Sequence, residues 1–204
     1  MAGPSRQRAG PPGAGRAPAN DPAGVLAAAA RFMEARPRSV EEIRRRLGAA
    51  GFQSDLVEAA IARLGELGML DDAAFARAWT EARDRTRPRS ARALRQELRR
   101  KGVADEVIEQ ALAAREASAA GEGEDEDEAT AALEAGERAS SEASDRAAAE
   151  RLLERRGGTL LREPDPRRRR SRAFGLLVRG GFDPEVSREV VAGWLARTGL
   201  TGEA

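Results

Sequence analysis

The chain has 204 residues, 35 Lys plus Arg against 34 Asp plus Glu, no histidine, cysteine or tyrosine, and a net charge of +1. The usual general bases, thiol nucleophiles and zinc ligands are therefore missing; no enzymatic activity is expected, and no metal or cofactor is assigned. No apolar run approaches the roughly 20 residues that span a bilayer and no signal-peptide core opens the chain, so a cytoplasmic protein without membrane contact is expected.

Residues 1–20 are rich in Gly, Pro and Ala and carry Arg6, Arg8 and Arg16 without an acid, which predicts a disordered basic tail. The first unit, 21–65, opens at Asp21-Pro22, an N-cap followed by an N1 proline, with Val25, Leu26, Ala29, Phe32 and Met33 on one helical face. Ser39 then caps a second helix and Glu42 completes a capping box, while Ile43 and Leu47, four apart, define the buried side. Gly51 suits the left-handed residue that stops a helix, and Phe52 can fold back on Leu47. Leu56, Val57, Ala60, Ile61 and Leu64 give a third helix its apolar stripe.

The second unit, 66–113, repeats this pattern at an offset of 51: Arg36-Pro37-Arg38-Ser39 returns as Arg87-Pro88-Arg89-Ser90, and Gly51 as Gly102. Leu94, Leu98, Val103, Val107, Ile108 and Leu112 keep the register of the apolar positions. A repeat of this kind decides fold before any single element does. Its leading helix opens at Asp71-Asp72 and buries Phe75, Ala76 and Trp79; helix capping explains the two carboxylates better than an acid/base pair, and a core position suits Trp79 better than base stacking.

Residues 114–143 hold the acidic run Glu122, Glu124, Asp125, Glu126, Asp127 and Glu128 and are expected to form a disordered linker without the spacing of a calcium loop. The third unit, 144–198, is expected to begin at Ser144-Asp145 with Ala148, Leu152 and Leu153, and to pause at Gly157-Gly158. It resumes at Asp165-Pro166 and closes from Asp183-Pro184 with Val186, Val190, Val191 and Trp194. Leu177, Gly181 and Phe182 match Leu47, Gly51 and Phe52 at an offset of 130. Residues 199–204 are left as a disordered end. The fold class is all-α: three tandem three-helix repeats stacked into an elongated, curved array, with neighbours sharing a core because one such unit buries little surface alone.

Charge is segregated along the chain. Residues 36–101 carry sixteen basic and ten acidic groups, residues 121–150 two and eleven, and residues 151–172 nine and three. The two basic blocks suit a polyanionic partner, since arginine forks fit pairs of phosphate or carboxylate oxygens.

Gly68-Met69-Leu70-Asp71-Asp72-Ala73-Ala74-Phe75-Ala76 with Arg83 beyond, Arg36, Arg38 and Ser39 before Ile43 and Leu47, Lys101-Gly102-Val103 and Gly181-Phe182 together resemble the RecX family, regulators of the RecA recombinase. The resemblance covers most of residues 22–196; the acidic insertion and the stretch 157–172 depart from it. It implies a monomeric modulator without catalytic activity that lodges in the groove of the RecA filament on single-stranded DNA. There it would inhibit filament extension, ATP hydrolysis, strand exchange and repressor cleavage, with weak, sequence-independent DNA binding of its own. The expected contact residues are the outward arginines of the middle helices, Arg44 and Arg45 in the first unit and Arg95, Arg99 and Lys101 in the second, joined by Arg168, Arg169 and Arg172 in the third. The alternatives are a helix-turn-helix-like regulator acting directly on DNA, and a plain helical scaffold for another protein.

Overall fold

The computed structural model describes residues 21–120 and 131–199, and among these it contains helices and turns with no strand. The tail expected at 1–20, the acidic run at 122–128 and the C-terminal end from 200 lie outside the described residues. Among the described residues, nine helices follow one another in three groups: α1 (Pro22–Met33), α2 (Val40–Ala49) and α3 (Ser54–Glu66); α4 (Asp72–Thr86), α5 (Ala91–Arg100) and α6 (Asp105–Ala120); α7 (Ala131–Leu160), α8 (Pro166–Gly180) and α9 (Pro184–Arg197).

Local chemistry sets the helix starts. Asp21, Asp71, Asp165 and Asp183 each accept a backbone N–H of their own helix's first turn, and Ser39 and Glu42 form the reciprocal capping box. The middle helices end on matching corners. Gly51, Gly102 and Gly181 have φ of 86°, 78° and 91°, and the amide that follows each donates back to the buried leucine five residues earlier: Phe52 to Leu47 (3.3 Å), Val103 to Leu98 (3.2 Å) and Phe182 to Leu177 (3.3 Å). This is the six-to-one closure of a Schellman turn, and its three copies show one module used three times.

Each module closes on its own core. Val25, Ile43, Leu47, Val57 and Leu64 are buried together in the first, Phe75, Leu94, Leu98, Ile108 and Leu112 in the second, and Leu152, Leu153, Leu177, Val191 and Trp194 in the third. The shared core expected from the small size of one unit is not what forms. The leading helices contribute to each cluster, Val25 and Ala29 in the first, Phe75 and Ala76 in the second, and Leu152 and Leu153 in the third. Between units, α6 also packs along α7, and the corners meet through polar groups.

Two expectations about the third unit are corrected. Ser144 and Asp145 do not open a helix: α7 is already under way at Ala131, and the buried Ser144 hydroxyl has no hydrogen-bond partner among the described residues. Gly157 and Gly158 do not pause the helix either, since α7 continues through both to Leu160. A β-carbon on Gly157 would lie 3.5 Å from Cζ2 of Trp194, so the glycine marks where the indole of α9 packs against α7. Helix also runs into both sides of the stretch expected as linker, α6 to Ala120 and α7 from Ala131.

Candidate functional site

The two joints between modules are built from the same parts. At the first, the buried Ser39 hydroxyl donates to the Lys101 carbonyl at the end of α5 (2.6 Å), and the Val40 amide donates to Asp72 of α4 (2.9 Å). At the second, the Ser90 hydroxyl donates to the Gly181 carbonyl after α8 (2.8 Å), and the Ala91 amide donates to Asp145 of α7 (2.8 Å). Asp72 and Asp145 therefore cap the middle helix of the preceding module rather than their own. Burial pushes both carboxyls above their ordinary pKa, against the amide bonds that pull them down.

The joints also set the middle helices head to tail. The C-terminal end of α5 meets the N-terminal end of α2, and the C-terminal end of α8 meets that of α5, so opposite poles of the peptide dipoles face each other. Guanidiniums add a second tie at each joint: Arg45 reaches the Arg100 carbonyl (3.2 Å) and Arg89 the Arg179 carbonyl (2.6 Å).

The expected contact residues fall into different environments. Arg44 forks onto Glu58 of α3 through Nε and a terminal nitrogen (2.7 and 2.9 Å), and Arg95 makes the equivalent fork onto Glu109 of α6 (both 2.6 Å). These pairs are themselves related by the 51-residue offset. They brace the middle helix to the last helix of the module and hold both guanidiniums above their ordinary pKa. Arg45 pairs with Glu41 and Arg99 with Asp105, yet both side chains remain more than half exposed, at 57% and 53%.

Lys101 belongs to the first joint. Its ammonium pairs with Glu42 across the modules (2.9 Å) and sits 4.1 Å from the centre of the Trp79 ring. Trp79 in turn donates its indole N–H to Glu97 (2.9 Å), which also takes Nε of Arg83 (2.7 Å). Burial would raise the Glu42 carboxyl, but hydrogen bonds from Arg36 and Lys101 outweigh it and bring the pKa down to about 2.

In the third module, Arg168 and Arg172 are exposed, with Arg172 paired to Glu163 (2.7 Å) and Arg168 only 3.6 Å from Asp165. Arg169 is not on the outer face: it is 5% exposed and its guanidinium donates to the carbonyls of Glu163 and Pro164. Sequence reasoning missed Arg115, a buried guanidinium that forks onto Asp84 (2.8 and 3.1 Å) and donates to the Arg89 carbonyl (3.1 Å) beneath the second joint. Its one sequence signal is an arginine at the inner edge of a helix followed by the apparent start of a linker.

Family models for the first and second three-helix domains of RecX match residues 26–64 and 71–112. A regulatory protein RecX of Thermobifida fusca (strain YX) is 31% identical over 193 residues, which covers 95% of this chain and 90% of that protein. The chain belongs to the RecX family. A RecX protein of Mycobacterium avium (strain 104) is 31% identical over 166 residues, covering 81% of this chain and 82% of the relative. Among solved structures, RecX from Lactobacillus salivarius aligns with a TM-score of 0.56 at 17% identity over 86% of this chain and 97% of that one. A second solved regulatory protein RecX gives 0.57 at 19% identity, over 83% and 70% of the two chains. The structural likenesses establish a common fold, and the sequence relatives establish membership of a family of regulatory proteins. No helix among the described residues of this RecX-family chain is long and apolar enough to cross a membrane.

Proposed function

We propose that this protein regulates RecA without catalysing a reaction of its own, by lodging in the groove of the RecA filament on single-stranded DNA. It thereby limits filament extension, ATP hydrolysis, strand exchange and repressor cleavage. The observation that supports this reading most is the pair of equivalent joints, Ser39/Asp72/Lys101 and Ser90/Asp145/Gly181, in a chain of the RecX family. They join three like modules through contacts of the same kind, and a surface that repeats is suited to a partner that repeats. Shallow contacts to successive protomers then reinforce each other through effective concentration.

Within this reading, Arg45 and Arg99 are the contact residues on α2 and α5, because each keeps more than half of its surface free. Arg44 and Arg95 support them from behind as struts, and Lys101 holds the joint. The competing reading, a helix-turn-helix regulator, would insert the N-terminal end of a recognition helix into the major groove. The N-terminal ends of α2 and α5 are closed at Ser39 and Ser90, 0% and 1% exposed, which counts against it.

The deciding experiment is the DNA-dependent ATPase of the partner RecA with this protein added below one copy per RecA. Inhibition is expected. Unchanged hydrolysis at a several-fold excess would sink the reading, and footprint protection of a single operator would favour the helix-turn-helix alternative.

A further inference from the structure

At an offset of 130 residues from Ser39 and 79 from Ser90 stands Arg169. The serines sit on the face that receives the next module; the third module has no successor among the described residues. Its helix α8 starts one turn earlier, at Asp165, and Arg169 fills the serine position by donating to the carbonyls of Glu163 and Pro164 from its own module. The array is thus closed by a buried guanidinium where the earlier modules accept the corner of a neighbour.

Around that closed face the chain is strongly basic. Residues 155–172 contain eight arginines against two acids, Glu163 and Asp165. Glu163 is buried under Arg172, and Asp165 is engaged by the amides of Arg167 and Arg168. Arg155, Arg156, Arg162, Arg167 and Arg170 are all exposed, and none has a carboxylate partner among the described residues. The arginines expected as contacts on α2 and α5 are, by contrast, each neutralised within their own chain.

Such an arrangement lowers the stability of the helix that carries it. Cations in a first turn oppose the peptide dipole, and α8 has Arg167 and Arg168 there with no acid at all within the turn. The N-cap carboxylate of Asp165 offsets part of this cost, yet the guanidiniums of Arg167 and Arg170 stay without a carboxylate partner among the described residues, and local conflicts of this kind concentrate at functional sites. With Arg169 turned inward, Arg167, Arg168 and Arg170 spread over the outer half of the helix. They lie about 20 Å along α8 from the joint with the second module, so no neighbouring module covers them.

We propose that this terminal arginine face, centred on Arg167, Arg168 and Arg170 with Arg155, Arg156 and Arg162 beside it, binds the sugar-phosphate backbone of single-stranded DNA. Several uncompensated guanidiniums suit a polyanion better than an acidic protein, whose interface would also need an apolar centre; Leu161, 39% exposed, is the large apolar side chain exposed among these arginines. The face carries no aromatic ring between residues 155 and 172, so it has nothing to stack on bases and is indifferent to sequence. The inference rests on the filament reading and deepens it by separating two surfaces: the outer faces of α2 and α5 meet RecA, and the end of the third module meets DNA.

The test is anisotropy of labelled oligothymidylate with the full chain over a range of salt concentrations, comparing Arg167→Gln/Arg168→Gln/Arg170→Gln with a charge-matched control, Arg31→Gln/Arg77→Gln/Arg188→Gln. The first variant is expected to lose about tenfold or more in affinity at low salt and to flatten the slope of log K against log salt by about 2, three contacts at roughly 0.7 each. The control is expected to keep both. Circular dichroism should show both variants folded, since all six side chains are exposed. Equal losses in the two variants would reduce the effect to net charge and overturn the proposal, as would failure of the unmodified protein to bind the oligonucleotide. RecA ATPase measured on the same proteins keeps the two readings apart. DNA binding that depends on the terminal face, without inhibition, retires the filament reading alone, whereas inhibition accompanied by DNA binding that ignores the face retires the terminal site alone.

Discussion

The hydroxyl of Ser90 donates to the carbonyl oxygen of Gly181 at 2.8 Å, so the residue that starts α5 also closes the corner that ends α8. The same hydroxyl oxygen accepts the Ala93 amide (3.2 Å), which makes one buried side chain both the cap of its own helix and the seal of the joint. Ser90→Ala removes both bonds and leaves the Gly181 carbonyl without this donor. The expected loss is about 2–3 kcal/mol in urea unfolding, the sum of a lost cap and an unsatisfied buried acceptor. A loss below about 0.5 kcal/mol would show that water replaces the hydroxyl and that the joint rests on other contacts.

Glycine has two separable duties at the corners, and comparing two of them tells these apart. Gly68, with φ of 66°, has nothing within 4 Å of the place a β-carbon would take, so Gly68→Ala meets backbone strain alone and should cost about 1 kcal/mol. At Gly102, with φ of 78°, the added carbon would fall on the Glu41 side chain of the preceding module. Gly102→Ala should therefore cost at least twice as much by chemical denaturation. Equal costs would mean that the first joint can open by the width of a methyl group.

The corners were legible because their signal is local: a leucine, a glycine four residues later and an apolar residue next are enough to specify a left-handed stop and its back-folded contact. The starts of α1 at Asp21-Pro22 and of α4 at Asp71, and the apolar faces of the leading helices, were legible from capping chemistry and helical period for the same reason; the start of α7 was not. Asp145 was not. A Ser-Asp pair ahead of an apolar stripe looks like an N-cap from sequence, and only the arrival of α5 some 54 residues away converts it into a cap for Ala91. Within Arg167-Arg168-Arg169-Arg170 the four side chains are chemically identical, so burial of one follows from α8 gaining a turn and cannot be seen in the letters. The arginines of α2 and α5 were set opposite the apolar stripe, and the i,i+3 pair of Arg44 with Glu41 follows from helical period, but the glutamates that fork onto Arg44 and Arg95 come from the next helix, a pairing that periodicity within one helix does not reveal.

Acid should weaken the first joint in a defined window. Glu42 has an ordinary carboxyl pKa of 4.5 when unfolded and about 2 when folded, where Arg36 and Lys101 hold its charged form. The folded state thus binds fewer protons between these values; the stabilisation is fully present above pH 4.5 and is lost as pH falls toward 2. On the order of 2 kcal/mol is at stake, after allowing for partial exposure. Asp72 and Asp145 act with the opposite sign, because burial raises their pKa and makes stability fall as pH climbs above the ordinary carboxyl value. Unfolding free energy followed across acid pH should lose the Glu42 component in Glu42→Gln. An unchanged profile in that variant would place the acid sensitivity elsewhere.

The duplicated fork, Arg44 onto Glu58 and Arg95 onto Glu109, can be tested for bracing as opposed to partner contact by exchanging the charges. Arg95→Glu alone sets two carboxylates against each other and should destabilise by about 1 kcal/mol, most of it screened at high salt because the side chains are 32% and 51% exposed. Adding Glu109→Arg restores the pair with its direction reversed. If Arg95 is a strut, the exchanged protein recovers both its thermal midpoint and its inhibition of the RecA ATPase. If Arg95 meets RecA directly, the midpoint recovers and the inhibition does not. The geometry favours recovery of both, since a guanidinium already bonded through two nitrogens to one carboxylate has little left to offer a second.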